Sequence, residues 1–495
     1  MKIKRLFLIF ILVLAAVLRL YKIDQYLTFL GDEGRDVLVV KRMISDGKFT
    51  LLGPITSVGS IYMGPIYYYF TAPFLWLWNF NPTGPAVMVV LFSLATVYLI
   101  YRLGNDYFDE SVGLVAALLY SVSRLTIIYG RSSWNPNIVP FFAILLVFSL
   151  MRTFIDRRFK FLILAGLSLG CLIQLHYITF MFLPIILVIF LRFRGKIPLK
   201  YYFYGFISFI IAYSPFILFE IRHQFVNTQG AFRFLIKQNS TAPGLFLTSL
   251  INTLNDLIVR IFWRSLVVIN AEISKLLIVT GIIIFSFFSR LITGNLKSKN
   301  ALSILLIWLS VGILSFGIYR GAIYDYYFGS LFPLPFLLFG IMFYLLFRIG
   351  LPARVFAFFL LILLVIFNLV QSPLLIEPNN MLKNTKKIAG FVLDKTSDRP
   401  YNFALIATHN SDHAYRYFME IADKPPVTIE NLQVDPLRKT VAGQLMVVCE
   451  EKICQPLGHP LWEIAGFGSA EITGEWDVVT VKVFRLIPLT KKNNG

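Results

Sequence analysis

Apolar runs of roughly 16–20 residues, the length that crosses or nearly crosses a bilayer's hydrocarbon core, recur along the chain. They fall near 6–21, 84–101, 111–130, 136–151, 161–175, 177–191, 201–219, 274–289, 301–318, 328–347 and 355–371. Another run, "GPIYYYFTAPFLWLW" at 64–78, is ambiguous and carries the Tyr and Trp of a membrane interface. Basic residues lie between the runs: Lys2, Lys4 and Arg5; Arg102; Arg152, Arg157, Arg158 and Lys160; Arg192, Arg194, Lys196 and Lys200; Arg290, Lys297 and Lys299; Arg348 and Arg354. If all are cytoplasmic, two spans separate each consecutive pair of basic loops after the second. One outward span and one return precede Arg102, so 64–78 lies along or dips into the outer face. The count is eleven spans, with the N-terminus inside and the C-terminus outside.

Composition agrees with a polytopic α-helical membrane protein. The 495 residues are 57% hydrophobic and only 15% charged, with a mean hydropathy of +0.71. Soluble domains carry about 25% charged residues, which excludes one large soluble protein. The net charge of +19 does not point to nucleic acid, because Lys and Arg cluster where topology alone requires them. The 48 Phe residues suit lipid-facing and helix-packing surfaces. The N-terminus, "MKIKRLFLIFILVLAAVLRLYKI", reads as an uncleaved first span: Arg19 closely follows the Ala pair and no small-x-small cleavage site appears. Cys171 sits in an apolar run as a packing residue. Cys449 and Cys454 lie in a polar region and are able to pair if it is extracytoplasmic.

This topology divides the chain into a transmembrane domain, 1–372, and a small C-terminal extracytoplasmic α/β domain, 373–495. The outer face receives a long loop at 22–83, corners at 130–137 and 175–178, a second long loop at 220–273, and "YRGAIYDYYFGS" at 319–330. In the tail, 403–408, 445–450 and 475–486 read as strands. Residues 411–422 read as a helix capped by Ser411 or Asp412. No repeats or low-complexity segments stand out.

The first outer loop holds "GDEGRD", with Asp32 and Glu33 adjacent. A carboxylate in apolar surroundings has a raised proton affinity and is able to act as a general base. The simpler reading is that Asp32 caps a short amphipathic helix with Glu33 in its first turn. The cations bear on this choice. Arg131, His176, Arg222, His223 and Arg320 fall at outer corners of different spans, and Arg124 falls within the third span, where a charge is costly. Cations converging on one rim would hold an anionic headgroup such as a phosphate. Singly, each has a structural explanation: Arg124 snorkelling or paired, Arg131 and Arg320 anchoring the interface, His176 satisfied between helices. Asn135 and Pro136 look like the cap and first residue of the fourth span. Tyr324, Asp325, Tyr326 and Tyr327 fit either an aromatic belt or a polar cleft. Transfer of a sugar from a lipid phosphate needs a base for the acceptor hydroxyl and positive charge for the departing phosphate, and this set supplies both.

The order of first span, "GDEGRD", "GPIYYYFTAPFLWLW", "YRLGNDYF", "LLYSVSRLTIIYGRSSWNPN", "LHYITF" and "YDYYFGSLFP" resembles the GT-C glycosyltransferases of the protein O-mannosyltransferase and aminoarabinose lipid A transferase type. The resemblance covers 1–372, and the acidic pair is its most specific element. It implies a multi-pass enzyme that moves a sugar from a polyprenyl-phosphate-linked donor to an acceptor outside the membrane, with inversion at the anomeric carbon. Asp32 would be the base, and Glu33 would orient the acceptor or its partner. Arg131 and His176, then Arg320, would hold the lipid phosphate. Tyr177, Arg222, His223, Tyr324, Asp325 and Arg124 would complete the donor site. Metal use varies in the family, so a divalent ion stays open. The acceptor, whether glycan, lipid or protein, is not specified, because the tail does not resemble the β-trefoil of eukaryotic protein mannosyltransferases. A transporter or lipid flippase is the main alternative, but transporters often show internal repeats and broken midplane helices, neither of which is clear here, and the charges crowd one face. A sensor would not need the acidic pair, and a ligase of lipid-linked glycans would share the substrate class.

Overall fold

The computed structural model describes residues 2–56, 61–238, 251, 256–262, 264–266, 271–318 and 323–489. The chain forms two compact units. One comprises Met1–Tyr21, Phe49–Phe70 and Pro85–Glu377; the other comprises Lys22–Lys48, Thr71–Gly84 and Pro378–Gly495.

In the first unit, apolar helices occupy each of the eleven expected positions. Thr83–Tyr107, Asn135–Phe154, Leu199–Arg222, Leu296–Gly317 and Leu351–Val370 are long and apolar enough to cross a membrane; Glu110–Val122, Phe161–Leu175, Tyr177–Arg192 and Pro333–Ile349 are shorter apolar helices. Lys2–Leu20 and Ala271–Phe288 complete the set. Close approach rests on small residues, as expected where lipid gives helices no hydrophobic reason to associate. A Cβ on Gly166 would sit 1.9 Å from the Gly205 carbonyl oxygen, so Phe161–Leu175 and Leu199–Arg222 meet backbone to backbone there.

The third expected span is not continuous. It stops at Val122 and resumes as the six-residue helix Arg124–Tyr129. Arg124 therefore opens a second helix rather than lying inside a span. The break has a partner in Arg19, whose fully buried guanidinium donates to the carbonyls of Ser121 (3.0 Å) and Tyr120 (3.5 Å) and to Ser93 Oγ (2.7 Å). Carbonyls near a broken helix end have no ladder partner, and here they satisfy a buried cation. The fourth span begins with the 3-10 turn Asn135–Ile138 before Val139–Phe154. Asn135 does not cap it: its amide donates to the Leu175 carbonyl at 2.6 Å, joining two corners.

The second unit is built on a four-stranded sheet of β1 (Asn402–Ile406), β2 (Leu445–Cys449), β3 (Ala470–Val478) and β4 (Val481–Pro488), in the order β1-β2-β4-β3. β1 and β2 are parallel, with Phe403 opposite Met446; β4 runs antiparallel to both its neighbours. β1 and β2 are buried at every position, as continuous apolar runs covered on both faces should be. Phe403, Leu405, Met446, Val448 and Val483 pack on one face with Ile388, Val392 and Tyr415. Ala404, Ile406, Leu445, Val447 and Phe484 pack on the other with Ile464 and Phe467. The single strand expected at 475–486 is a hairpin, turning at Val479, whose φ is +57°. No Gly, Asn or Asp marks that turn, and a β-branched residue rarely takes this conformation. The expected helix at 411–422 is His413–Ile421, and neither Ser411 nor Asp412 caps it; Asp412 instead accepts from Arg416. Cys449 and Cys454 form a disulfide, and Cys171 is free and buried.

Candidate functional site

The acidic pair lies in the second unit, in the first turn of the helix Gly31–Asp46. Leu30, at the cap position, has no acceptor in its side chain. Glu33 turns back to take the Leu30 N–H on Oε2 at 3.1 Å, so Glu33 rather than Asp32 does the local capping. Asn410, 379 positions away, accepts the Gly31 N–H at 2.8 Å.

The two carboxylates have different environments. Asp32 is half exposed, at 53%, and accepts from Arg35 at 2.8 Å. Glu33 is buried. That burial pushes its carboxyl up to about 7, with the charges of Asp32 and Asp36 adding to the effect and the backbone N–H groups of Glu33 and Leu30 opposing it. One acid therefore reaches solvent as an acceptor, while its neighbour can hold a proton near neutral pH. Arg35 also donates to the buried Asp36 at 2.8 Å.

The segment 410–413 borders this turn. Ser411 Oγ lies 2.8 Å from His413 Nδ1, and Asp412 lies 3.8 Å from the same nitrogen. Both approach Nδ1, so the three do not form a serine–histidine–aspartate relay, in which acid and hydroxyl take opposite ring nitrogens. Burial draws the imidazole below its ordinary value, against the pull of Asp412. Further along, Lys41 and Arg42 pair with Glu420 at 3.3 and 2.7 Å, locking Gly31–Asp46 to His413–Ile421.

The first unit carries a separate polar and aromatic cluster around the 3-10 helix Asp325–Ser330. Asp325 accepts from Arg260 at 2.9 Å and Arg264 at 3.2 Å. Arg260 also donates to the Ile323 carbonyl at 3.0 Å and lies over the Phe328 ring. Tyr177 and Tyr327 hydroxyls are 2.7 Å apart. The His176 ring stacks on Tyr177 with centroids 4.5 Å apart and meets Tyr327 at 4.7 Å. Its Nδ1 accepts the Ile178 N–H at 3.3 Å, which puts the proton of a neutral ring on Nε2. Trp134 packs on Tyr326 at 4.4 Å, and Tyr326 stacks on the exposed Tyr324.

The structure thus brings together His176, Tyr177, Tyr324 and Asp325. Arg131 is buried and donates to the Tyr21 carbonyl at 2.7 Å. Arg222 and His223 are exposed at the end of Leu199–Arg222, with His223 stacked on Phe219 at 4.1 Å. Arg124 is half-buried at the start of its short helix. Arg320 lies outside the described residues. Sequence reasoning passed over Arg260, Arg264 and Asn410. The two arginines stand four apart in "NDLIVRIFWRS", on one helical face, inside a segment read as loop. Among the described residues, no group of three His, Cys, Asp or Glu side chains is placed to hold a metal ion.

Residues 63–219 match the family described as dolichyl-phosphate-mannose-protein mannosyltransferase. No curated protein matches the chain by sequence. Among solved structures, ArnT from Cupriavidus metallidurans bound to undecaprenyl phosphate is similar over 97% of both chains, at 14% identity and a TM-score of 0.59. The oligosaccharyltransferase AglB of Archaeoglobus fulgidus, solved with an inhibitory peptide and a dolichol-phosphate, is similar over 90% of this chain and 69% of its own, at 13% identity and a TM-score of 0.51. A structure of the Archaeoglobus fulgidus oligosaccharyltransferase with zinc and sulfate aligns over 89% of this chain and 67% of its own, at 13% identity and a TM-score of 0.51. Residues 63–219 thus resemble that mannosyltransferase family, and the chain shares the fold of ArnT and of the archaeal oligosaccharyltransferase.

Proposed function

We propose that the protein transfers a single sugar from a polyprenyl-phosphate donor to an acceptor hydroxyl on the extracytoplasmic face, with inversion, and that Asp32 is the general base. The observation that carries this reading is the contrast within the acidic pair: Asp32 is half exposed and held by Arg35, while Glu33 is buried beside it. Asp32 takes the acceptor proton as the hydroxyl oxygen bonds to the anomeric carbon. The bond from that carbon to the phosphate oxygen breaks, and its electron pair leaves with polyprenyl phosphate. Glu33, capping the turn, fixes the direction of the base and orients the acceptor.

Arg260 and Arg264, which share Asp325, carry guanidinium forks of the kind that suit the oxygens of a lipid phosphate. His176, Tyr177, Tyr324 and Tyr327 supply rings and hydroxyls of the kind that hold a sugar. The same unit has an apolar cavity of about 560 Å³ lined by Phe262, Ile278, Phe285, Leu306, Phe339 and Met342, suited to a prenyl chain. The basic loops, together with the paired cysteines of the tail, support an inside N-terminus and an outside C-terminus.

The test is Asp32→Asn in purified protein supplied with a panel of radiolabelled polyprenyl-phosphate sugars and mixed acceptors. Transfer should fall by about a hundredfold or more, the range for losing a positioned base. Polyprenyl-phosphate binding should stay near the wild-type level. Transfer at the normal rate would remove Asp32 from the role of base.

A further inference from the structure

We propose that the C-terminal domain supplies, from a distant part of the chain, the N-cap of the helix that carries Asp32 and Glu33, with Asn410 as the positioning residue. The proposal rests on the reading of Asp32 as base. It gives the tail a role in the reaction beyond covering or choosing an acceptor.

A helix start leaves its first N–H groups without partners, and a side-chain acceptor at the cap position normally takes one of them. Here that position is Leu30, which makes no side-chain cap. Glu33 serves the Leu30 N–H, and the Gly31 N–H goes to Asn410 Oδ1 at 2.8 Å. The same oxygen accepts the Ser411 N–H at 2.9 Å. The other end of the amide donates to both oxygens of Glu450, at 2.9 and 3.1 Å. Glu450 also accepts the Tyr415 hydroxyl at 2.7 Å. The amide therefore has one workable orientation, because turning it over would set its oxygen against the Glu450 carboxylate and its N–H groups against two backbone donors.

Glu450 follows directly on β2, in the middle of the sheet order. A continuous path then runs from the sheet through Glu450 and Asn410 to Gly31, one residue before Asp32. Steric fit makes the seat specific. A Cβ on Gly31 would lie 1.9 Å from Ser411 Oγ, and one on Gly34 would lie 2.3 Å from the Ala414 nitrogen. The acidic turn thus rests directly on the backbone of 411–414, where only glycine leaves room. Placement of a catalytic group to within an ångström is worth large factors in rate, so a cap that fixes this turn acts on turnover.

The test uses the full-length protein in detergent, with Asn410→Ala, Glu450→Ala, the double variant and Glu450→Gln. Two readouts are taken: amide hydrogen exchange, and steady-state transfer with the polyprenyl-phosphate sugar that the wild type consumes. Asn410→Ala should speed exchange in 30–36 about tenfold while β1 and β2 keep wild-type protection, and should lower kcat about tenfold with the donor KM within about twofold. Glu450→Ala should reproduce this in part, and the double variant should be no worse than Asn410→Ala, since both act through one path. Glu450→Gln keeps an acceptor for Asn410 and should restore most of the rate. Wild-type exchange at 30–36 in Asn410→Ala, or loosening spread equally over the sheet, would overturn the proposal. Asp32→Asn separates the two readings. If it leaves transfer intact, the base assignment fails, while faster exchange at 30–36 in Asn410→Ala still establishes the cap. If it abolishes transfer and Asn410→Ala retains wild-type kcat, the positioning role fails alone.

Discussion

Arg35 donates to the Asp32 carboxylate at 2.8 Å across one turn of the acidic helix. The same guanidinium donates to Asp36 at 2.8 and 3.0 Å. One cation therefore serves two carboxylates of opposite character: Asp36 at 1% exposure and Asp32 at 53%. The buried partner anchors the arginine, and the anchored arginine fixes the direction of the exposed one. Asp32 is therefore held by a group that is itself anchored on a buried carboxylate.

Stability and activity should separate along this chain of contacts. Arg35→Leu removes the guanidinium's hydrogen bonds to the buried Asp36 carboxylate and should cost about 3 kcal/mol, the range for breaking a buried pair from one side. Replacing Arg35 and Asp36 together with leucines should recover much of that loss. Asp32→Asn removes only an exposed pair and should cost about 0.5 kcal/mol or less. Thermal unfolding of the solubilised protein measures all three. Equal losses for Arg35→Leu and Asp32→Asn would show that Asp36 does not depend on the arginine.

Glu33 should make stability depend on pH in the direction opposite to a salt-bridged carboxylate. Its folded-state value of about 7 lies above the ordinary 4.5, so between these values the folded protein binds more protons than the unfolded chain. Stability is then fullest below pH 4.5 and falls as pH rises through the window to 7, by an amount on the order of 3 kcal/mol. Glu33→Gln keeps an acceptor for the Leu30 N–H and has nothing to ionise. It should flatten this window and exceed the wild type in stability above pH 7. Unfolding midpoints across pH 4.5–8 decide the matter, and identical slopes in both proteins would count against a buried, protonating Glu33.

The spans were legible because a lipid-facing helix needs an apolar run whatever it packs against. The strands β1 and β2 were legible for the same reason, being buried on both faces. What sequence did not reveal depends on partners far away in the chain. The break at Ser123 accompanies Arg19, more than a hundred positions earlier. The turn at Val479 carries no turn residue, so only the β3–β4 pairing accounts for it. The acidic pair was conspicuous as adjacent carboxylates, yet which of the two caps the helix turned on Leu30 and Asn410. Arg260 and Arg264 were hidden by the absence of a long apolar run, which made their segment read as loop.

If Arg260 and Arg264 receive the lipid phosphate, losing one should weaken binding more than it slows chemistry. A hydrogen bond to a charged group contributes about 1.5–3 kcal/mol, so Arg264→Gln should reduce affinity for undecaprenyl phosphate by about tenfold or more. The residual binding should depend less steeply on salt. Titration of the lipid into detergent-solubilised protein at two ionic strengths measures both effects. Unchanged affinity would send the phosphate to other cations.

The disulfide gives a test of sidedness that does not need a substrate. Cys449 and Cys454 are bonded, while Cys171 is free and buried. A disulfide persists on the oxidising side of a membrane and is kept reduced on the cytosolic side. Membranes denatured in an alkylating reagent without reductant should therefore carry one label per chain, at Cys171, and three labels after reduction. Closing so short a loop also restrains the unfolded chain, and replacing both cysteines with serine should cost about 2 kcal/mol in the tail. Three labels without reductant would place the tail in the cytosol. Because the acidic helix belongs to the same compact unit as the tail, Asp32 would move with it, and transfer at the extracytoplasmic face would be ruled out.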